Sequence, residues 1–372
     1  MIEVRTARIE DREEIRALWR TCFGDSERFM DWYFQERFYP DFSVCLLKDG
    51  VIVSALQSCP LHVHIRGKIV GASMLTGVST HPAHAGQGYM RKTFTRYMQL
   101  VREQGLPFSM ETPAHMGSFF TLGHYPTTDT MYLDIPHAAA STFPQQIQLQ
   151  DMHTNLAPLH TCYQRFMRPY SGSVSRTMAD FALKFRDYAS DGAQCYVVAD
   201  TGAPAQGYCV FFQLENRVHV EECVFDHGDA LRAMLQALQH TANGRQLTVK
   251  LPPDTALATD YRAYAAVRPQ GAMGLADVAE ALKLLVCDSR FVFEIIDSTV
   301  PQNSGVWNGA GLACTQAPDI QLEASKLCQF LCGYRSLSEL AANGEANIYN
   351  IANVETLDNL LQKQRCFVVD EY

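Results

Sequence analysis

Two long apolar runs, each folded back by a turn suited to a tight hairpin, constrain this chain more than any other feature. Residues 42–60 read "FSVCLLKDGVIVSALQSCP", with Lys48-Asp49-Gly50 between two strand-like halves. Residues 61–80, "LHVHIRGKIVGASMLTGVST", turn again at Arg66-Gly67. Such turns between alternating apolar residues predict an antiparallel meander. Directly after it comes "HPAHAGQGYMRKTF" (81–94), a glycine-containing loop that opens an amphipathic helix. Gly86 and Gly88 lack the Cβ atoms that would block close backbone approach, and the first turn of the helix offers unpaired N–H groups. Strand, glycine loop and helix start together suit an anion such as a pyrophosphate, with Arg91 and Lys92 adding charge. A plain strand-to-helix turn accounts for two glycines equally well.

The elements around this segment complete a first unit. "DREEIRALWRTCF" (11–23) places Ile15, Leu18, Trp19, Cys22 and Phe23 on one helical stripe, with acidic residues in its first turn. The stripe of Phe29, Trp32, Tyr33 and Phe34 reads as a helix face in the core or as the lining of a substrate channel. After the glycine loop follow a strand "PFSMET", a short apolar helix around Phe119 and a strand "TMYLDI" (130–135). From about residue 147 a similar order returns: a helix "TNLAPLHTCYQRFM", a hairpin from Cys195 to Asp226, a helix near 229–241 and a strand "QLTVKLP". Its loop, "DHGDA", sets Asp226 and Asp229 around one glycine, and two carboxylates would repel a pyrophosphate. The second unit is therefore expected to be a scaffold without a nucleotide. From about 287 the pattern changes to "RFVFEIID", then a strand running into a helix in "DIQLEASKLCQFLCGYRSLSELA", a helix "VETLDNLLQ" and the end "CFVVDEY".

Composition narrows the function. A chain of 372 residues that is 47% apolar holds two or three cores. Its formal charge of −9, from 31 basic and 40 acidic residues, argues against nucleic acid and for cationic or amine partners. "MIEVRTARIE" reads as a first strand and not as a signal peptide, and no run of ~18 apolar residues spans a membrane, so a cytoplasmic location is expected. The 12 cysteines lack zinc-like spacing; Cys328 and Cys332, like His62 and His64, share a face without a third ligand, so no metal is expected.

The order helix, meander, glycine loop, helix, strand, short helix, strand resembles the GNAT family of acetyl-CoA-dependent N-acetyltransferases. Their motif, Gln/Arg-x-x-Gly-x-Gly/Ala, reads here "AGQGYM": Gly88 matches the central glycine, while Ala85 and Met90 depart from it. Two such units before a small domain similar to sterol carrier protein 2 resemble the Eis-type (enhanced intracellular survival) acetyltransferases over the whole chain. Their phosphate segment, "HPxHRRRG", is matched at His81, Pro82, His84, Gly88 and Arg91, with Ala85, Gly86 and Gln87 in place of arginines. The expected fold is α/β (α+β): GNAT-like mixed-sheet domains at 1–140 and 141–284 and an SCP2-like α+β domain at 285–372.

The resemblance also implies roles. Val78, Ser79 and Thr80 would pair with the pantetheine arm of acetyl-CoA; Gly86, Gln87, Gly88, Tyr89, Met90 and Arg91 would hold its pyrophosphate; Ala114 and His115 would lie beside it. With the arginines gone, affinity should be weaker and more salt-sensitive. The base would be the C-terminal carboxylate of Tyr372, delivered by the apolar lead-in Phe367, Val368 and Val369, with Asp25 and Glu371 receiving the substrate's ammonium group. The acid would be a tyrosine, but Phe119 stands at its position, leaving His124 and Tyr125 as substitutes. Eis-type proteins form hexamers. The expectation is an N-acetyltransferase acting on a primary amine of a small cationic molecule or of lysine; the alternative is a catalytically impaired sensor or carrier that binds acetyl-CoA or an apolar ligand.

Overall fold

A computed structural model describes residues 1–139, 141–199 and 204–371. The chain opens with β1 (Ile2–Thr6), α1 (Arg12–Cys22) and α2 (Glu27–Glu36). The two hairpins then form as their turns dictate. β2 (Val44–Lys48) passes to β3 (Val51–Ile65) through Asp49 and Gly50 at φ 52° and 87°. β3 passes to β4 (Lys68–Thr80) through Arg66 and Gly67 at φ 51° and 74°. Paired positive φ values mark the two-residue turn whose twist matches that of the strands it joins.

Next come α3 (Tyr89–Glu103), β5 (Phe108–Glu111), a 3-10 turn at Met116–Leu122 and the short β6 (Tyr125–Pro126). One face of this sheet is covered by α1 and α2 through Ile15, Leu18, Trp19, Met30 and Phe34. The other is covered by α3, which buries Phe94, Tyr97, Met98 and Val101 against Val44, Leu56 and Leu75. α1 comes so close to β4 that a Cβ on Gly77 would sit 2.0 Å from the Trp19 ring, so no larger residue fits there.

The second unit is built from β7 (Asp129–Ile135), β8 (Ile147–Gln150), α4 (Ala157–Met167), α5 (Met178–Ser190), β9 (Gln194–Val198), β10 (Gly207–Gln213), β11 (Arg217–Phe225), α6 (Gly228–Ala242), β12 (Gln246–Leu251), α7 (Thr259–Arg262) and β13 (Ala265–Pro269). Its sheet runs β13-β7-β12-β11-β10-β9-β8. α6 packs on one face, where Leu231, Met234 and Leu238 meet Val218, Val220 and Val249. α4 and α5 pack on the other, joined by Phe367 and Val369 from the end of the chain. α5 starts at a capping box, Thr177 with Asp180.

The chain then returns to the first sheet with β14 (Ala272–Leu275), giving the order β1-β2-β3-β4-β5-β14-β6. α8 (Val278–Leu285) leads to a sheet of four strands, β15 (Asp288–Ile296), β16 (Gly305–Gly309), β17 (Ile320–Glu323) and β18 (Ala346–Ile348), with α9 (Ala324–Leu331), α10 (Leu337–Ala342) and α11 (Ile351–Leu360). Arg66, at the β3–β4 turn, donates to the carbonyls of Phe330 (2.7 Å) and Leu331 (2.9 Å) at the end of α9 and to that of Gln362 (2.7 Å) after α11.

The sheets do not follow contiguous stretches of chain. "TMYLDI" forms a strand as expected, but β7 joins the second sheet instead of closing the first, while β14, expected in the second unit, lies between β5 and β6. Two compact units result, one of residues 1–128 and 270–366 and the other of residues 129–269 with 367–369. In "CFVVDEY", Cys366 makes one bridge and residues 367–371 run without regular structure.

Candidate functional site

The site begins where two strands part. β4 pairs with β3 out to Thr80 but with β5 only at Ala72, Ser73 and Met74. Beyond Met74 the β5 side of β4 has no strand partner among the described residues, so its N–H and C=O groups are open to an extended ligand.

A cleft of about 420 Å³ lies along this open edge. Val78 and Thr80 of β4 form one side and Ser118, Thr121 and Leu122 of the 3-10 turn contribute the other, with Gly86, Gly88 and the first turn of α3 at its end. Gly86 and Gly88 hold φ 74° and 72°, left-handed values that favour glycine, and a Cβ at either would meet nothing within 4 Å. Gly88 is also the N-cap of α3: no side chain caps the helix, and no acidic residue occupies its first turn. The end of a 15-residue helix thus presents uncapped N–H groups and the positive pole of its dipole to open space. Arg91 donates to the Thr121 carbonyl at 3.0 Å, fixing the far wall to the helix start. These features suit an elongated ligand with an anionic group at the glycine end and an extended arm along β4.

Of the residues expected around the cofactor, Val78, Thr80, Gly86, Gly88, Tyr89, Met90 and Arg91 line the cleft. Ser79 is buried with its hydroxyl on the Ala55 carbonyl (3.3 Å), and Gln87 is exposed in the loop. Ala114 and His115 are exposed residues before the 3-10 turn and are not among those lining the cleft. His84, Ala85, Ser118, Thr121 and Leu122 line it as well. His84 and Ala85 lay inside the quoted motif; the other three meet the helix only through the fold.

The catalytic and substrate residues are placed as follows. Tyr372 lies outside the described residues. Its lead-in is anchored: Phe367, Val368 and Val369 are buried, the Phe367 N–H donates to the Ser171 carbonyl (3.2 Å) and its ring packs on Tyr170. Glu371 accepts from the Gln270 side chain. Asp25 accepts the Trp19 indole N–H at 2.7 Å. Phe119 packs into the core 6.1 Å from Phe94. Tyr125 stacks on Phe120 at 4.7 Å with the Lys326 ammonium 3.7 Å from its ring, and partial burial pushes its hydroxyl up. His124, expected beside the ligand as an acid, is fully buried, edge-on to Phe94 and with Nδ1 3.3 Å from Glu111 Oε1.

The second unit repeats the fork but closes it. β11 and β12 are parallel from Arg217–Gln246 to Val220–Val249. At the next step Glu221 takes the Lys250 ammonium at 2.9 and 3.0 Å, with His219 Nε2 at 3.0 Å. The α6 N-terminus is capped by its own His227, whose Nδ1 accepts from the Ala230 N–H at 3.3 Å. Asp229 stands in its first turn, and Asp226 pairs with Arg165 at 2.6 Å.

The Glu221 cluster makes acid stability testable. Although burial opposes its charged form, hydrogen bonds from His219 and Lys250 and the Lys250 charge bring the Glu221 carboxyl from 4.5 down to about 2. Its folded value lies below its unfolded one, so the stabilisation is present above the unfolded value and is lost as pH falls through the folded one. Glu221→Gln is expected to flatten the fall in unfolding free energy between pH 4.5 and 2, read by urea titration at each pH; an unchanged slope contradicts the assignment.

Comparison with known proteins follows the same division. Residues 3–125 match the acetyltransferase (GNAT) domain family and residues 278–369 the sterol carrier protein domain family. No curated protein matches the sequence. Among solved structures, the fold is similar to a GCN5-related N-acetyltransferase from Anabaena variabilis (TM-score 0.80, 15% identity, 100% of both chains). It is similar also to Eis1 from Mycobacterium abscessus (TM-score 0.74, 19% identity, 100% of both chains). A GCN5-related N-acetyltransferase from Kribbella flavida superimposes with TM-score 0.76 at 17% identity, over 100% of this chain and 98% of that one. The fork, the cleft and the sequence match therefore define the N-terminal unit as an acetyltransferase (GNAT) domain. With the sterol carrier protein domain at its C-terminus, the chain has the Eis-like architecture.

Proposed function

We propose that this protein transfers the acetyl group of acetyl-CoA to a primary amine of a small cationic molecule or of lysine. The observation that carries the reading is the uncapped start of α3, opening with Gly86 and Gly88 onto a cleft beside the unpaired edge of β4. The α3 N–H groups and Arg91 would bind the pyrophosphate, and the β4 backbone from Thr80 toward Leu75 would pair with the pantetheine arm. Tyr372 would bring its carboxylate to the acceptor amine as the base, while Asp25 and Glu371 would attract its ammonium form. The protein would work in the cytoplasm as an oligomer, a hexamer by its resemblance to Eis-type enzymes.

Release of free thiol from acetyl-CoA, measured against a polyamine, an aminoglycoside and lysine, tests the reading. Acetyl-CoA binding without turnover on any amine would favour a sensor or carrier, the alternative that Phe119 keeps open by offering no hydroxyl. The contrast between α3 and the capped, acidic start of α6 predicts one acetyl-CoA per chain by titration calorimetry; two equivalent sites would contradict it. Affinity should fall as salt is added, because backbone amides and one arginine replace an arginine cluster.

A further inference from the structure

One buried acid and one buried imidazole have no part in that reading. Glu111, the last residue of β5, is 3% exposed, and His124 is 0% exposed. Among the described residues their 3.3 Å approach is the one polar contact of either side chain, and by hydrogen-bond geometry neither carboxylate oxygen and neither ring nitrogen has a partner. Polar groups this deep are nearly always paired, so an unsatisfied acid points to a task. The pair is held firmly: a Cβ on Gly274 of β14 would stand 2.2 Å from the His124 ring, and Phe94 meets that ring edge-on at 5.0 Å.

The pair also sits at the apex of the fork. Met74 and Met110 are the last residues of β4 and β5 in register, so Glu111 is the first residue of β5 past the point of parting. Its side chain shares the α3 face with Ser109, two residues earlier, whose hydroxyl is 2.8 Å from that of Tyr97. A pantetheine arm laid along β4 from Thr80 back to Leu75 would span roughly 17 Å and stop one residue past Met74, the strand level at which Glu111 follows Met110, behind the residues that line the cleft. Phe119, in the wall of the same core, offers no proton.

We infer that Glu111 is the acid that protonates the departing CoA thiolate, with His124 as the residue that positions its carboxyl group. As the amine nitrogen bonds to the carbonyl carbon, the C–S bond breaks and its electron pair stays on sulfur. Glu111 gives its O–H proton to that sulfur, and the amine's proton leaves through the base. Solvent returns a proton to Glu111 after release, so no further reactant is needed. Burial pushes the Glu111 carboxyl up, against the opposing pull of His124, the direction that suits an acid. The titratable groups that face it are His124 from the segment after the 3-10 turn and Tyr97 from α3; the flanking Ala272 of β14 and Leu75 of β4 carry none.

The inference rests on the proposed acetyl transfer, and its test keeps the two apart. Glu111→Gln is expected to bind acetyl-CoA as the wild type does, to lose about 100-fold in kcat and to lose the fall of kcat on the alkaline side. In His124→Asn that fall should move to higher pH, since His124 holds the Glu111 value down. Independently of turnover, adding CoA to the wild type should shift an infrared carboxylic-acid band that Glu111→Gln lacks. A Glu111→Gln enzyme with kcat within about threefold of the wild type, or a band that CoA leaves unmoved, overturns the role of Glu111. Should Glu111→Gln not fold, the His124→Asn profile decides. Wild-type protein that binds no acetyl-CoA removes the functional reading itself.

Discussion

Gly88→Val is expected to weaken acetyl-CoA binding by about 100-fold or more while leaving the fold intact, as read by titration calorimetry beside a thermal melt. In the free protein valine meets no clash, because a Cβ there has nothing within 4 Å. The cost to stability is the left-handed backbone, φ 72° and ψ 17°, of about 1–2 kcal/mol. The cost to binding is larger. A branched side chain fills the space through which a pyrophosphate would approach, and relaxing the strained φ turns the first N–H groups of α3 away from it. Losing two hydrogen bonds to a charged group, at about 1.5–3 kcal/mol each, accounts for the expected factor. Gly228→Val, at the start of α6, is the control: its Cβ also meets nothing, yet acetyl-CoA affinity should not change. Binding by Gly88→Val within about threefold of the wild type would mean that this loop does not hold the pyrophosphate.

Arg176→Ala should cost about 3–5 kcal/mol in unfolding free energy, the largest loss expected from any single change in the second unit. Arg176 and Glu222 are 2% and 0% exposed and meet through two parallel hydrogen bonds, Nη1–Oε1 at 3.0 Å and Nη2–Oε2 at 2.9 Å. Glu222 also accepts from the Tyr188 hydroxyl at 2.9 Å and from that of Tyr208, and the guanidinium lies 4.3 Å from the Tyr163 ring. Removing the arginine leaves a fully buried carboxylate without its cation. The double variant Arg176→Met, Glu222→Leu should recover much of the loss, because an absent pair costs far less than a broken one. Urea denaturation of the two variants gives the coupling between the positions. Equal stability of Arg176→Ala and the wild type would mean that the pair is not buried as described.

What the sequence determined by itself was local. Asp49-Gly50 and Arg66-Gly67 specify two hairpins because positive φ at both turn positions is a property of those residues and their neighbours. The Gly86 to Arg91 segment reads as a phosphate cradle for the same reason: glycine geometry and a helix start lie within one short stretch. The acidic residues at 226–229 are likewise a local feature, and they motivate the expectation of a second unit without a nucleotide. The tertiary structure decided which strands share a sheet. "TMYLDI" reads as a strand at the end of the first unit, but a strand pattern does not say which edge it joins; backbone pairing sends β7 to the second sheet and β14 to the first. It also decided which distant side chains meet. Glu111 is a lone acid at the end of an apolar strand until the fold lays His124 beside it and Gly274 beneath. Glu221 and Lys250 close the second fork only because β11 and β12 run parallel there. Hydrogen bonds and ion pairs act over a few ångströms in space, whatever the distance along the chain, so sequence spacing carries no trace of these pairings.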